Sequence, residues 1–250
     1  MKVMERLMKK LNIAQKVIYM IAAMLLFNPL QVYGQPAISM SDLLRQTEEY
    51  YQKVDSFTAR FHQVTTSAVA RTMTTEATGT LYYQKPRQMR WEYETPEEQI
   101  FVASQQLAWL HVPGDRQISL FDSKALFSSP LAQTFFDGFV ELRKNFDVTL
   151  ESHMSSHQTA VLRLVPKTHD PGIRYLFLWI DRDSHRIEKL ESHDAMGNMN
   201  LISLEDQRTG SPIEPHKFHL EIPPSTVVLD LEGRQMSPAE IEELKKKLLR

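Results

Sequence analysis

Residues 85 to 96 read KPRQMRWEYETP, in which Met89, Trp91 and Tyr93 alternate with Arg90, Glu92 and Glu94. A period of two is that of a β-strand with one face turned from water. The same period runs from Phe57, Ala59, Phe61 and Gln63 through TGTLYYQ, QIFVA, QLAWLHV and RQISLF. Lys85-Pro86-Arg87, Thr95-Pro96-Glu97 and Pro113-Gly114-Asp115 place turn residues at the strand ends, so residues 57–121 predict antiparallel strands joined by short turns. Alternation resumes in FDVTLES, TAVLRLVP, IRYLFLWID, HRIEKLES, NLISLED and KFHLEI, with Asp181-Arg182-Asp183-Ser184 and Ala195-Met196-Gly197-Asn198 as hairpin turns.

Three segments keep a helical period instead. Leu43, Leu44, Thr47, Tyr50, Tyr51 and Val54 recur every three or four residues behind Ser41 or Asp42 as N-cap. Leu131, Phe135, Phe139 and Leu142 do the same behind Pro130 and interrupt the strands. At the C-terminus, Ser237 with Glu240 three residues on and Pro238 between them reads as a capping box opening a short helix. The pattern predicts a mainly β, α+β domain of about eleven antiparallel strands. A sheet of that size must curl, and one whose hollow side is closed by helices is a container.

Residues 1–34 stand apart, with the basic MKVMERLMKKLNIAQK, the eleven-residue apolar run VIYMIAAMLLF and the closing VYG. This is the form of a secretory signal peptide cleaved near Gly34. The run is shorter than the roughly 20 residues of a membrane span; retention as an anchor is the alternative. The expected division is a signal peptide at 1–34, a main domain at 35–231 and a helical extension at 232–250. Exported proteins often carry disulfides, yet the chain has no cysteine, so packing alone must stabilise it and no cysteine is present to be lipidated. Without residues 1–34, which hold five Lys/Arg and one Glu, the formal net charge moves from −2 to −6. Nucleic acid is not expected as a partner of so acidic a surface.

Candidate chemistry is sparse. GxSxG, Walker, HExxH and GxGxxG patterns are absent, and thiolate nucleophiles are excluded. His153 and His157, and His216 and His219, lie in loop or strand segments, where their spacing does not place two imidazoles on one helix face. Asp181, Asp183 and Glu188 surround a turn, as solvated carboxylates do. No enzyme activity, cofactor or metal is expected. Lys85 has two readings, an exposed turn lysine or a cation bonded to a helix end. For Met89, Trp91, Tyr93, Leu107 and Trp109, an ordinary sandwich core and a lined cavity both satisfy the pattern.

Taken in order, Phe57-x3-Phe61-x-Gln63, Gly79-x-Leu81 leading to Lys85-Pro86, Arg90-Trp91-x-Tyr93-x2-Pro96 and Phe218 before Pro223-Pro224 resemble the periplasmic outer-membrane lipoprotein carrier family, LolA. The resemblance covers most of residues 40–231. It implies an unclosed β-barrel with an α-helical lid over an apolar cavity. Phe57, Phe61, Leu81, Met89, Trp91, Tyr93, Leu107 and Trp109 would line that cavity, with Leu44, Tyr51, Phe135 and Phe139 pointing down from the lid. It further implies a monomeric periplasmic chaperone that takes acylated lipoproteins from an inner-membrane ABC transporter and passes them to an outer-membrane receptor. Lys85 stands where the family typically has an arginine that latches the lid; lysine offers a point charge in place of a planar fork. A receptor of the same fold would need a lipidated cysteine, which is missing here. A periplasmic regulator of similar fold that senses lipids or lipoproteins is the alternative, and an unrelated exported sandwich with a filled core is another.

Overall fold

The computed structural model describes residues 39–70, 73–128, 132, 142–170 and 172–248. The expected signal peptide at 1–34 and Leu131, Phe135 and Phe139 of the expected middle helix lie outside the described residues. Helix α1, Met40–Lys53, is capped by Ser39, whose Oγ accepts from the Asp42 N–H at 3.1 Å. The cap therefore falls two residues before Ser41. Ser39 is extended in the backbone, which lets its hydroxyl meet an otherwise unpaired N–H of the first turn.

Twelve strands form one sheet: β1 (Ser56–Thr66), β2 (Thr74–Gln84), β3 (Gln88–Thr95), β4 (Gln99–Ala103), β5 (Ala108–Val112), β6 (Gln117–Phe121), β7 (Phe146–Leu150), β8 (Thr159–Pro166), β9 (Tyr175–Asp181), β10 (Ile187–His193), β11 (Met199–Thr209) and β12 (Val227–Leu229). Their order is β12-β6-β5-β4-β3-β2-β1-β11-β10-β9-β8-β7, so two meanders join at the β1/β11 seam and the end strands stay unpaired with each other. The sheet is curled and unclosed, as the right-handed twist of so many strands requires. Every pairing is antiparallel except β12 on β6. Between β6 and β7 come helix α2, Ser123–Phe127, and helix α3, Leu142–Asn145.

One predicted strand is absent. KFHLEI forms part of a 3₁₀ turn, Pro215–Phe218, followed by a segment outside any strand. Pro223 and Pro224 lack the N–H groups a ladder would need, and the alternating Phe218, Leu220 and Ile222 instead pack against the sheet from above. The parallel edge strand β12 takes its place in the count.

Cross-strand partners share a face, so the pairing assigns every strand residue to one of two sides. On one side, called the outer face, Trp109 packs with Val102, Ile118 and Leu120 beneath Ile213, Phe218 and Val228. Helix α4, Pro238–Leu248, closes over this cluster with Ile241 and Leu244. Its capping box is formed, with Ser237 N–H donating to Glu240 Oε2 at 2.7 Å and Glu240 N–H to Ser237 Oγ at 3.4 Å. Arg234 and Ser237 together hold the Glu240 carboxyl at about 2.

The charged side of β3 lies under the same segment. Arg90 Nη1 donates to the Lys217 carbonyl at 2.7 Å, and Glu92 Oε1 accepts from Arg90 Nε at 2.6 Å and Lys217 Nζ at 2.9 Å. Burial alone would raise the Glu92 pKa; the bonds and charges of Lys217 and Arg90 outweigh it and hold the carboxyl below its usual range. The Lys217 ammonium also sits 4.6 Å from the Tyr82 ring centroid. The charged side of β3 is thus covered by ion pairs under the C-terminal segment, and its other side carries aromatic rings.

Candidate functional site

The inner face is the other side of the sheet. In the register Phe57↔Tyr83↔Met89↔Ala103 and Ala59↔Leu81↔Trp91↔Phe101, one apolar row follows another across β1 to β4. Tyr83 therefore points inward with Leu81, while Tyr82 points outward to Lys217. The rows continue into the second meander: Phe61 pairs with Leu204, and Leu190, Leu178 and Leu162 lie side by side on β10, β9 and β8. An apolar inner face thus extends from β5 to β7.

At its centre is an aromatic knot. The Phe61 ring meets Trp91 edge-on at 4.8 Å between centroids and Tyr93 at 5.0 Å. Phe61 and Leu81 are buried, whereas Met89, Trp91 and Tyr93 are half-buried. The knot depends on Gly79, because a Cβ there would lie 2.7 Å from the Phe61 ring and 2.0 Å from the Glu92 carbonyl oxygen. Towards the β2–β3 turn, Tyr83, Ala103 and Ala108 pack with Phe127 of α2, and Phe57 and Met89 flank them. Beside Phe127 opens a cavity of about 470 Å³ lined by Arg87, Gln105, Lys124, Phe127 and Ser128.

Six of the eight residues expected to line one surface, Phe57, Phe61, Leu81, Met89, Trp91 and Tyr93, come together on this face. Leu107 and Trp109 do not. Trp109 pairs with Val102 and Leu120, and both it and Leu107 pack into the outer cluster. The correction follows from register: Ala108, not Trp109, stands opposite Ala103 on the inner side. Leu162, Leu178 and Leu190 of β8 to β10 share this face, although the sequence pattern marks only their strands. In YLFLWID both alternating sets are apolar, so the period names a strand without naming its inner face.

Among the described residues, helix α1 is moored at three points. Arg143 Nη2 donates to Ser41 Oγ at 3.0 Å near its start, and near its end the Ile187 N–H donates to Tyr51 Oη at 2.9 Å. Burial keeps the Tyr51 phenol well above its ordinary pKa. The third mooring is Lys85, whose Nζ donates to the carbonyls of Gln52 at 2.8 Å and Tyr51 at 3.2 Å. These are last-turn carbonyls, where a cation also meets the negative end of the helix dipole. Of the two readings of Lys85, the helix-end bond is the one formed. Leu44 is buried with Leu43 on the apolar side of α1.

Among the described residues no group of three or more His, Asp or Glu could hold a metal ion. A curled, open sheet with one continuous apolar face and a helix moored by a few polar contacts is the architecture of a shell that can enclose apolar matter.

The family model for outer membrane lipoprotein carrier protein LolA matches residues 52–221, and the chain belongs to this family. An outer-membrane lipoprotein carrier protein of Methylobacillus flagellatus is 27% identical over 184 residues, 73% of this chain and 86% of that one. Its counterpart in Methylococcus capsulatus is 27% identical over 156 residues, 62% of this chain and 72% of that one. Among solved structures, an uncharacterised conserved protein of Thermus thermophilus shares the fold with a TM-score of 0.50 at 12% identity, over 76% of this chain and 98% of that one.

Proposed function

We propose that this protein is a periplasmic carrier that shields the acyl chains of lipoproteins leaving the inner membrane and hands them on to the outer membrane. The observation that supports this most is the unbroken apolar inner face, carried by a member of a family named for that task. Each methylene removed from water is worth about 0.8 kcal/mol. One chain of roughly sixteen carbons left exposed would therefore cost on the order of 12 kcal/mol, and only an enclosed passage across an aqueous compartment is workable. Phe57, Phe61, Leu81, Met89, Trp91 and Tyr93 supply the lining, and α1 with Leu44 and Tyr51 supplies part of the cover. The partners are acylated lipoproteins, an inner-membrane lipoprotein-releasing transporter and an outer-membrane receptor. The role asks for no catalytic group.

Mass spectrometry of the protein purified from periplasm with a co-expressed lipoprotein tests the reading. Wild type should carry the triacylated species. Trp91→Glu, which sets a carboxylate into the lining, should retain less than about a tenth of it while staying folded, since burying an unpaired charge opposes uptake by several kcal/mol. Wild-type protein free of acylated cargo would count against the proposal.

Lys85 is assigned the role of holding α1 over the inner face. In Lys85→Met the two carbonyl bonds are lost, and roughly 1–2 kcal/mol of helix docking with them. Amide exchange of α1 should accelerate about five- to thirtyfold, and loading should become faster. Unchanged exchange in that variant would remove Lys85 from this role.

A further inference from the structure

The apolar inner face ends in a polar chain that its packing does not require. Past Phe61, the inward positions of β1 are Gln63 and Thr65, followed across the seam by Asn200 on β11, which pairs with Thr65. Tyr93 Oη donates to Gln63 Oε1 at 3.0 Å, and Gln63 Nε2 donates to Asn200 Oδ1 at 2.8 Å. Thr65 Oγ1 donates to the same Asn200 oxygen at 3.1 Å. The chain has a direction. All three bonds run towards the Asn200 carbonyl, and none of them uses the two N–H groups of its amide.

All four side chains are half-buried, so the terminus of the chain is within reach of a guest. Burial holds the Tyr93 hydroxyl above its ordinary pKa, which leaves it a neutral donor that orders the chain from its far end. The position is a rim. Asn200 lies two residues from Asn198, whose Oδ1 accepts the Ala68 N–H at 2.9 Å and ties the β10–β11 turn to the β1–β2 turn. Beyond these turns is solvent, as the exposed Val69 and Met196 attest.

From Thr65 to Phe57 the strand runs about 26 Å at roughly 3.3 Å per residue. An acyl chain spans about half of the roughly 30 Å hydrocarbon core of a bilayer. A chain anchored at Asn200 and laid along β1 would therefore end on the apolar rows before the β2–β3 turn. What joins such a chain to a polar head is an ester or amide carbonyl, an acceptor that loses water on entry and needs a donor in return.

We propose that Asn200, oriented by Gln63, Thr65 and Tyr93, is a head-group seat: its amide N–H groups donate to the ester or amide carbonyls at the polar end of an acylated guest. The hydrocarbon then lies over Phe61 and Trp91, and the polypeptide leaves past the rim formed by the two joined turns. This rests on the carrier reading and adds to it the polarity with which cargo is held.

The test compares two ligands of equal chain length, a dipalmitoyl-glyceryl cysteinyl peptide and its dialkyl ether analogue, which lacks the carbonyls. Affinities are read on the full-length protein by displacement of an apolar fluorescent probe. Wild type should prefer the ester by roughly three- to tenfold, the worth of one or two hydrogen bonds. Asn200→Asp still accepts from Gln63 and Thr65 but has no outward N–H, and Asn200→Leu removes the group altogether. Both should bring the ester-to-ether ratio to about one; Asn200→Asp provides the reading should the leucine variant unfold. A preference that survives in Asn200→Asp, or equal binding of both ligands by wild type, overturns the seat and leaves the carrier standing. If wild type binds neither, the carrier reading falls and takes the seat with it.

Discussion

Trp109→Ala should lower the stability of the folded protein by about 3–5 kcal/mol, the range for truncating a large aromatic in a packed core. Its side chain is only 4% exposed, and it joins strands β4, β5 and β6 to the C-terminal segment through Val102, Ile118, Leu120 and Phe218. The loss should appear as a lower urea midpoint with an unchanged slope. The same truncation at Trp91 should cost distinctly less, because that ring is half-buried and its removal leaves an opening instead of a sealed void. Acyl-chain affinity per folded molecule should respond in the reverse order, falling for Trp91→Ala and holding for Trp109→Ala. If the two variants lose stability equally, the division of labour between the faces is wrong.

Gly79→Ala should destabilise by about 3 kcal/mol, the upper part of the range for overfilling a packed site. The sign is the informative part. In most strand interiors alanine is better than glycine by roughly 0.5–1 kcal/mol. Here the added methyl would meet the Glu92 carbonyl oxygen at 2.0 Å, a backbone atom that yields only if the β2–β3 pairing opens. It would also meet the Phe61 ring, which Trp91 and Tyr93 hold from two sides. Near-ultraviolet circular dichroism should lose the aromatic signal of the knot alongside the fall in denaturation midpoint. A variant as stable as wild type would show that ring and strand can shift, and with them the lining.

Bonds confined to charged side chains should matter less. Arg60 Nη2 donates to Glu94 Oε2 at 2.9 Å on the outer face, where both groups are well exposed. Such a pair is screened by solvent and contributes little to stability. The Glu92, Arg90 and Lys217 group differs because the C-terminal segment covers it, so its bonds fix where that segment lies.

The predicted elements agree with the structure where one physical signal sufficed. Period two marked β1 to β11, and the Ser237 and Glu240 pair marked the start of α4. Each error came from a competition that local pattern does not rank. KFHLEI alternates as a strand does, but the prolines after it deny it ladder partners, and Phe218 is drawn to a core that exists only in the folded sheet. Ser39 caps α1 in preference to Ser41 because its backbone is extended at the point where the chain enters the helix.

The candidate site divides the same way. Phe61, Trp91 and Tyr93 were legible as one face because their alternate neighbours are polar or charged. Trp109 was not, since QLAWLHV carries apolar residues in both registers, and only pairing with Val102 assigns it outward. The amide of Asn200 had no signal of its own. It becomes a terminus only when the β1/β11 seam brings it beside Gln63 and Thr65, 137 and 135 residues away along the chain.

Local spacing thus determined the strands, most of their turns, the helical segments at both ends and the absence of the common catalytic motifs. Tertiary structure alone decided the partition of aromatics between a sealed outer core and an open inner face, and the mooring of α1 by Lys85. The reason is that alternation is a property of one strand, whereas inside and outside are properties of the whole sheet: a strand apolar on both sides has no inward direction until its neighbours, twisting together, create a hollow for it to face.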